Sequence, residues 1–152
     1  MVADASTVKP TNGIVLDSKN LTVWTKKVET AAEVYPGRLV IRGTNDDDIV
    51  VCTGSVPVGW AGYEHTAKKY RPATVDTIYT VDSFIGVISG PGIKLVGSLA
   101  LGVTAVPGTI LKAAPDGRLT PGTAGSDDIV AVGLESVTTV ATVADCLVES
   151  RI

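Results

Sequence analysis

The side chains with reactive potential in this sequence are few, and their spacing assembles no familiar chemistry. His65 is the only histidine and directly follows Glu64. An acid–base pair of that kind works by activating a Ser or Cys nucleophile, and no Gly-x-Ser-x-Gly turn is present. Cys52 and Cys146 lack the paired His/Cys spacing of a zinc site and read as small buried hydrophobes. Two cysteines without a secretory context do not imply a disulfide. Asp46-Asp47-Asp48 invites calcium, but a calcium loop alternates its oxygen ligands around a glycine and adds a distal carboxylate, whereas consecutive aspartates point away from one another. That run reads as a solvated loop. No phosphate-cradling loop or dinucleotide fingerprint occurs. Lys94 follows Gly90-Pro91-Gly92, where a hairpin carrier lysine could sit, but it lacks the flanking pattern and reads as a snorkelling strand lysine. The expectation is a protein without catalytic residues, metal or cofactor. A site assembled from distant residues around His65 and Glu64 is the one enzymatic alternative.

The elements that would position any site are strands. The 152 residues suit one compact domain, and 45% are hydrophobic against 19% charged. With 23 Val and 18 Thr against one Phe and one Met, the apolar and β-branched residues favour a pleated sheet. Sixteen Gly and eight Pro punctuate them. The fold class is all-β, with at most one short helix. A net charge of −3 argues against nucleic acid as the partner. Residues 84–106 are the most apolar stretch, but Gly90-Pro91-Gly92, Lys94 and Gly97 interrupt it short of a membrane span. The first residues show neither a basic nor an apolar leader region, so no signal peptide and no membrane contact are expected.

Along the chain, residues 1–20 form a polar N-terminal segment, either a frayed end or an extended arm that orders on a neighbour. Its candidate contacts are Val8, Lys9, Pro10, Val15 and Leu16. Residues 21–152 form a single β-rich domain. Strands are expected at 21–25, 38–41, 49–53, 75–81, 84–89, 93–96, 129–137 and 144–152. Residues 26–35 mix helical and extended preferences up to Pro36. Residues 54–72 are the most irregular segment and carry Trp60, Tyr63, His65, Lys68, Lys69, Tyr70 and Arg71. Aromatic and cationic side chains are enriched where interfaces concentrate their energy, so this segment is the candidate contact loop. The alternative is that Trp60 and Tyr63 plug a barrel end.

One pattern recurs. Pro36-Gly37, Gly43-Thr44 and Asp47-Asp48-Ile49-Val50 are echoed by Pro107-Gly108, Gly122-Thr123 and Asp127-Asp128-Ile129-Val130. The later copy carries an extra segment whose Asp116-Gly117 signals a hairpin, which weakens a strict duplication. The order of these features, with Gly59-Trp60-Ala61-Gly62-Tyr63-Glu64 and Ile129-Val130-Ala131-Val132-Gly133-Leu134-Glu135, resembles the decoration, or cement, proteins on the capsids of tailed viruses and bacteriophages. The resemblance implies a small β-barrel or β-tulip-like domain, assembly as a homotrimer, and the major capsid protein as partner. It also implies a place on the outside of the virion after assembly in the host cytoplasm, where the protein stabilises the expanded shell. The competing reading is a receptor- or glycan-binding module with Trp60, Tyr63 and Tyr70 as a stacking platform.

Overall fold

The computed structural model describes residues 13–29, 34–139 and 144–152. Its strands are β1 (Val15–Asp17), β2 (Thr22–Val28), β3 (Leu39–Arg42), β4 (Asp48–Val51), β5 (Gly59–Ala61), β6 (Phe84–Ser89) and β7 (Lys94–Leu99). They continue with β8 (Thr104–Ala105), β9 (Ile110–Ala113), β10 (Leu119–Pro121), β11 (Ala131–Gly133), β12 (Val137–Thr138) and β13 (Ala144–Ser150). The fold is all-β, and its helical content among the described residues is one 3₁₀ turn at Lys68–Tyr70.

The strands close two barrels. The first runs β2-β4-β3-β5-β6 and returns to β2. The second runs β7-β10-β9-β11-β13 and returns to β7, with β1 added beside β7; β8 and β12 pair as a separate ribbon. Both rings have the same order: first strand, third, second, fourth, fifth. In each, the first and third strands are parallel and every other pair is antiparallel.

The identity extends to single hydrogen bonds. Gly37 N donates to Ala61 O at 2.8 Å, as Gly108 N does to Gly133 O at 2.9 Å. Ala61 N donates to Arg38 O and Gly133 N to Thr109 O; Val58 N reaches Val40 O and Val130 N reaches Leu111 O. Cys52 N donates to Leu39 O, and Gly122 N to Ile110 O. Glu29 N donates to Ile49 O, and Ala100 N to Leu119 O. In the second barrel, as in the first, a Pro-Gly turn stands before the second strand. Gly37 and Gly108 hold φ of 83° and 94°, which only glycine adopts without strain after a proline at this turn position.

The chain is therefore a structural tandem repeat, and the sequence echo is half right. Pro36-Gly37 and Pro107-Gly108 are equivalent. The two Asp-Asp-Ile-Val runs are not: β4 corresponds to β10, so Ile49 stands where Leu119 stands. The apparent hairpin insertion around Asp116-Gly117 is the second barrel's own β9–β10 turn. Other expectations shift as well. The strand foreseen at 21–25 continues to Val28. Residues 75–81 form no strand: Thr77 N turns back to Thr74 O at 3.2 Å, and the two threonine hydroxyls bond at 2.8 Å. Of the mixed 26–35 segment, residues 30–33 lie outside the described residues.

The first barrel's interior is lined by Val28, Val40, Ile49, Val51, Ala61, Ile85 and Val87, with Val34 and Tyr79 packed on it. A second, larger core joins Leu95, Leu99, Leu111, Leu119, Val130, Ala131 and Val148 to Leu39, Cys52, Trp60 and Ile88 from the first barrel. Alternation along the strands explains this, since residues facing out of the first barrel face the second. Both cysteines are buried and unbonded to each other.

Candidate contact surface

The segment 54–72 contributes a barrel strand before it reaches the surface. Gly59–Ala61 forms β5, paired with β3 and β6 and buried throughout. Trp60 is therefore an interior residue: its indole Nε1 donates to Ser150 Oγ at 3.1 Å across the two barrels. Its ring lies over Gly97, where an added Cβ would stand 3.5 Å from the ring and 2.9 Å from Leu119 Cδ1. Trp60 does not belong to a contact loop, because pairing on both sides of β5 turns its side chain between the barrels.

Tyr63 is also buried. Its hydroxyl donates to Pro72 O at 3.0 Å, and the Arg71 guanidinium lies 5.3 Å from its ring centroid. Arg71 Nη2 donates to Glu64 O at 3.0 Å and Thr66 O at 2.9 Å, so it clasps the loop rather than facing a partner. Beneath them Tyr79 donates to Gly62 O and pairs with Thr66 Oγ1 at 3.0 Å, which accepts Gly86 N. Burial of the Tyr79 phenol pushes its pKa up to about 12. A platform of Trp60, Tyr63 and Tyr70 is thus not presented to a glycan.

Glu64 and His65 are half-buried. Glu64 Oε2 accepts the backbone N–H groups of Ile14 at 2.8 Å and Val15 at 3.2 Å, which holds the start of β1. Its other oxygen is 3.9 Å from His65 Nδ1. Val15 thereby sits in the main sheet, opposite Leu95, while Leu16 is exposed at 38%. Val8, Lys9 and Pro10 lie outside the described residues.

What reaches the surface is a cluster at the 3₁₀ turn. Lys68 and Lys69 are exposed, and Lys69 Nζ lies 4.8 Å from the Tyr70 ring centroid. Tyr70 in turn meets Phe84 at 5.6 Å between ring centroids, tilted by 57°. Phe84 is 45% exposed at the start of β6. Sequence reasoning placed Lys68, Lys69 and Tyr70 together and missed Phe84; the signal was available, since the chain's only phenylalanine opens a strand next to an aspartate-serine turn.

The acidic turns serve structure. Asp46 pairs with Arg42 at 2.6 Å, Asp47 with Lys26 at 3.6 Å and Asp48 with Lys27 at 3.4 Å, so three consecutive carboxylates face three cations. The Asn45 amide bonded to Asp48 holds that carboxyl below its ordinary range, with Lys27 adding to the effect. Asp127 is held low by the Thr123 backbone N–H at 2.8 Å and by Lys112 at 3.2 Å. Among the described residues, no group of three or more His, Cys, Asp or Glu side chains converges as a metal site.

Fold and surface together define a tandem five-stranded β-barrel protein with an aromatic and basic surface cluster. Its fold is similar to the crystal structure of the head fiber gp8.5 N base of bacteriophage phi29, with a TM-score of 0.50 and 14% sequence identity over 87% of this chain and 98% of that one. No family and no curated protein matches the sequence.

Proposed function

We propose that this chain is a structural protein of a tailed-phage virion that binds the outside of the capsid and stabilises the expanded shell. The observation that carries this reading is the fold shared with a phage head fiber base along nearly the whole of both chains. The order of turns and strands noted in the sequence supports it. The reading assigns the chain no catalysis, a homotrimeric state, the major capsid protein as partner, and neither nucleic acid nor membrane. Symmetry suits the task, because a closed trimer presents each modest contact three times and raises the overall affinity without any single strong one.

The cluster of Lys68, Lys69, Tyr70 and Phe84 is the contact surface under this reading: two exposed cations beside two rings in tilted contact suit an acidic, partly apolar shell. Purified protein is expected to scatter light as a trimer, to sediment with expanded shells and to raise their melting temperature. Lys68→Glu with Lys69→Glu is expected to weaken attachment, with circular dichroism unchanged. A strict monomer that leaves expanded shells unbound overturns the reading.

A further inference from the structure

The repeat gives each place in one barrel a counterpart in the other, and one pair of counterparts differs in occupancy. Matching Glu29 N to Ala100 N aligns β2 on β7, so Trp24 corresponds to Leu95, Thr25 to Val96 and Lys26 to Gly97. Matching the strands' partners aligns Val58 with Val130 and Val87 with Val148. In the second barrel this place is filled twice over. The edge of β7 receives β1 as an antiparallel strand, with Val96 N donating to Ile14 O at 2.8 Å and Val15 opposite Leu95. The barrel mouth beside it receives the Trp60 ring against Gly97 and Val148. Leu95, Val130 and Val148 are accordingly buried.

In the first barrel the same place is open among the described residues. On the side away from β6, β2 pairs with β4 only at Lys27 and Val28. Lys27 N and Glu29 N face β4, so by strand alternation the N–H and C=O groups of Thr25 and Val23 face that same side. Among the described residues nothing pairs with them. Beside that edge lies a cavity of about 250 Å³ lined by Trp24, Lys26, Val58 and Val87. Trp24 is 56% and Val58 48% exposed, whereas their counterparts Leu95 and Val130 are at 0% and 1%. An unpaired edge next to an apolar hollow is the arrangement that accepts an added strand.

We propose that the β2 edge and this cavity form a strand-acceptor site for an extended segment of a partner polypeptide. The segment lies antiparallel to Thr22–Lys26 and seats one branched or aromatic side chain against Val58 and Val87. The chemistry of the occupant is taken from the filled counterpart, where a strand carrying the consecutive apolar residues Ile14, Val15 and Leu16 and an aromatic ring do this together. Among the described residues, the strand of that kind, β1, is committed to β7. The site stands on the repeat alone and is independent of the virion reading.

The probe is a synthetic peptide with the sequence of residues 12–19, Asn-Gly-Ile-Val-Leu-Asp-Ser-Lys, and a second with Val15→Phe, titrated into the full chain by amide NMR. Shifts are expected at Thr22–Lys26 and Val58, with the Val15→Phe peptide binding about tenfold tighter. Thr25→Pro, which removes an N–H facing the open side, is expected to abolish binding. A peptide N-methylated at alternate residues, used on the unaltered protein, is expected to fail as well. Absence of shifts, or shifts indifferent to N-methylation, overturns the proposal. So does slow exchange of the Thr25 amide in the monomer without peptide, which would mean that the chain fills its own site. Concentration-dependent pairing of two copies through Thr22–Lys26 overturns it too.

Discussion

At the scale of single residues, Glu64, Asp48 and Asp127 hold turns and strand ends. Glu64 is the clearest instance, since one carboxylate oxygen collects two backbone N–H groups at the start of β1. Removing it leaves half-buried donors unsatisfied, at a cost of about 1–3 kcal/mol. Glu64→Ala is expected to speed hydrogen exchange at Ile14 and Val15 while the barrel cores stay protected; unchanged exchange there would show that β1 is held by its sheet pairing alone. Asp48 and Asp127 give a pH dependence. Both are lowered in the fold from an ordinary value of 3.8, so the stability they contribute is present above that value and is lost as pH falls below it through the lowered folded value. Melting temperature should be flat from neutral pH down to about 5 and drop below about 4. Asp127→Asn should lower the plateau and shrink the drop.

At the scale of elements, the Pro-Gly turns separate backbone conformation from close packing. Gly37 and Gly108 share a positive φ and the equivalent acceptor on the fourth strand of their barrel. They differ in surroundings: a Cβ on Gly37 would stand 2.6 Å from Val96 O, whereas one on Gly108 would meet nothing within 4 Å. Gly108→Ala should therefore cost only the left-handed conformation, about 1–2 kcal/mol. Gly37→Ala should cost clearly more, because it also presses on the backbone of β7 in the other barrel. Equal costs by chemical denaturation would contradict the close approach.

At the scale of the whole molecule, the two barrels are joined through Trp60, Leu39, Cys52 and Ile88 rather than by a linker. Trp60→Ala removes a fully buried ring and a hydrogen bond across the joint, a loss of about 3–5 kcal/mol. Unfolding of the parent chain is expected to be one cooperative transition, and Trp60→Ala should lower it or split it in two. A variant as stable as the parent would place the joint elsewhere. The exposed lysines of the surface cluster bear no such load, so Lys68→Glu with Lys69→Glu is expected to leave the melting temperature in place.

The sequence by itself determined the all-β class, the Pro-Gly turns, the Asp116-Gly117 hairpin turn, the strand at 84–89 and the clustering of Lys68, Lys69 and Tyr70. Each of these is a local matter, set by β-branching, by the φ that proline and glycine allow, or by adjacency along the chain. Only the tertiary structure decided that there are two barrels, that β4 answers to β10, and that Trp60 and Tyr63 are buried while Trp24 and Phe84 stay exposed. Strand order and register depend on pairings between residues far apart in sequence, and an aromatic residue in a short strand looks the same on either face until its neighbours are in place. Of the interface proposed from the sequence, the part that lay next to a strand was drawn into the core by hydrogen bonding on both edges, and the part in the following turn remained at the surface.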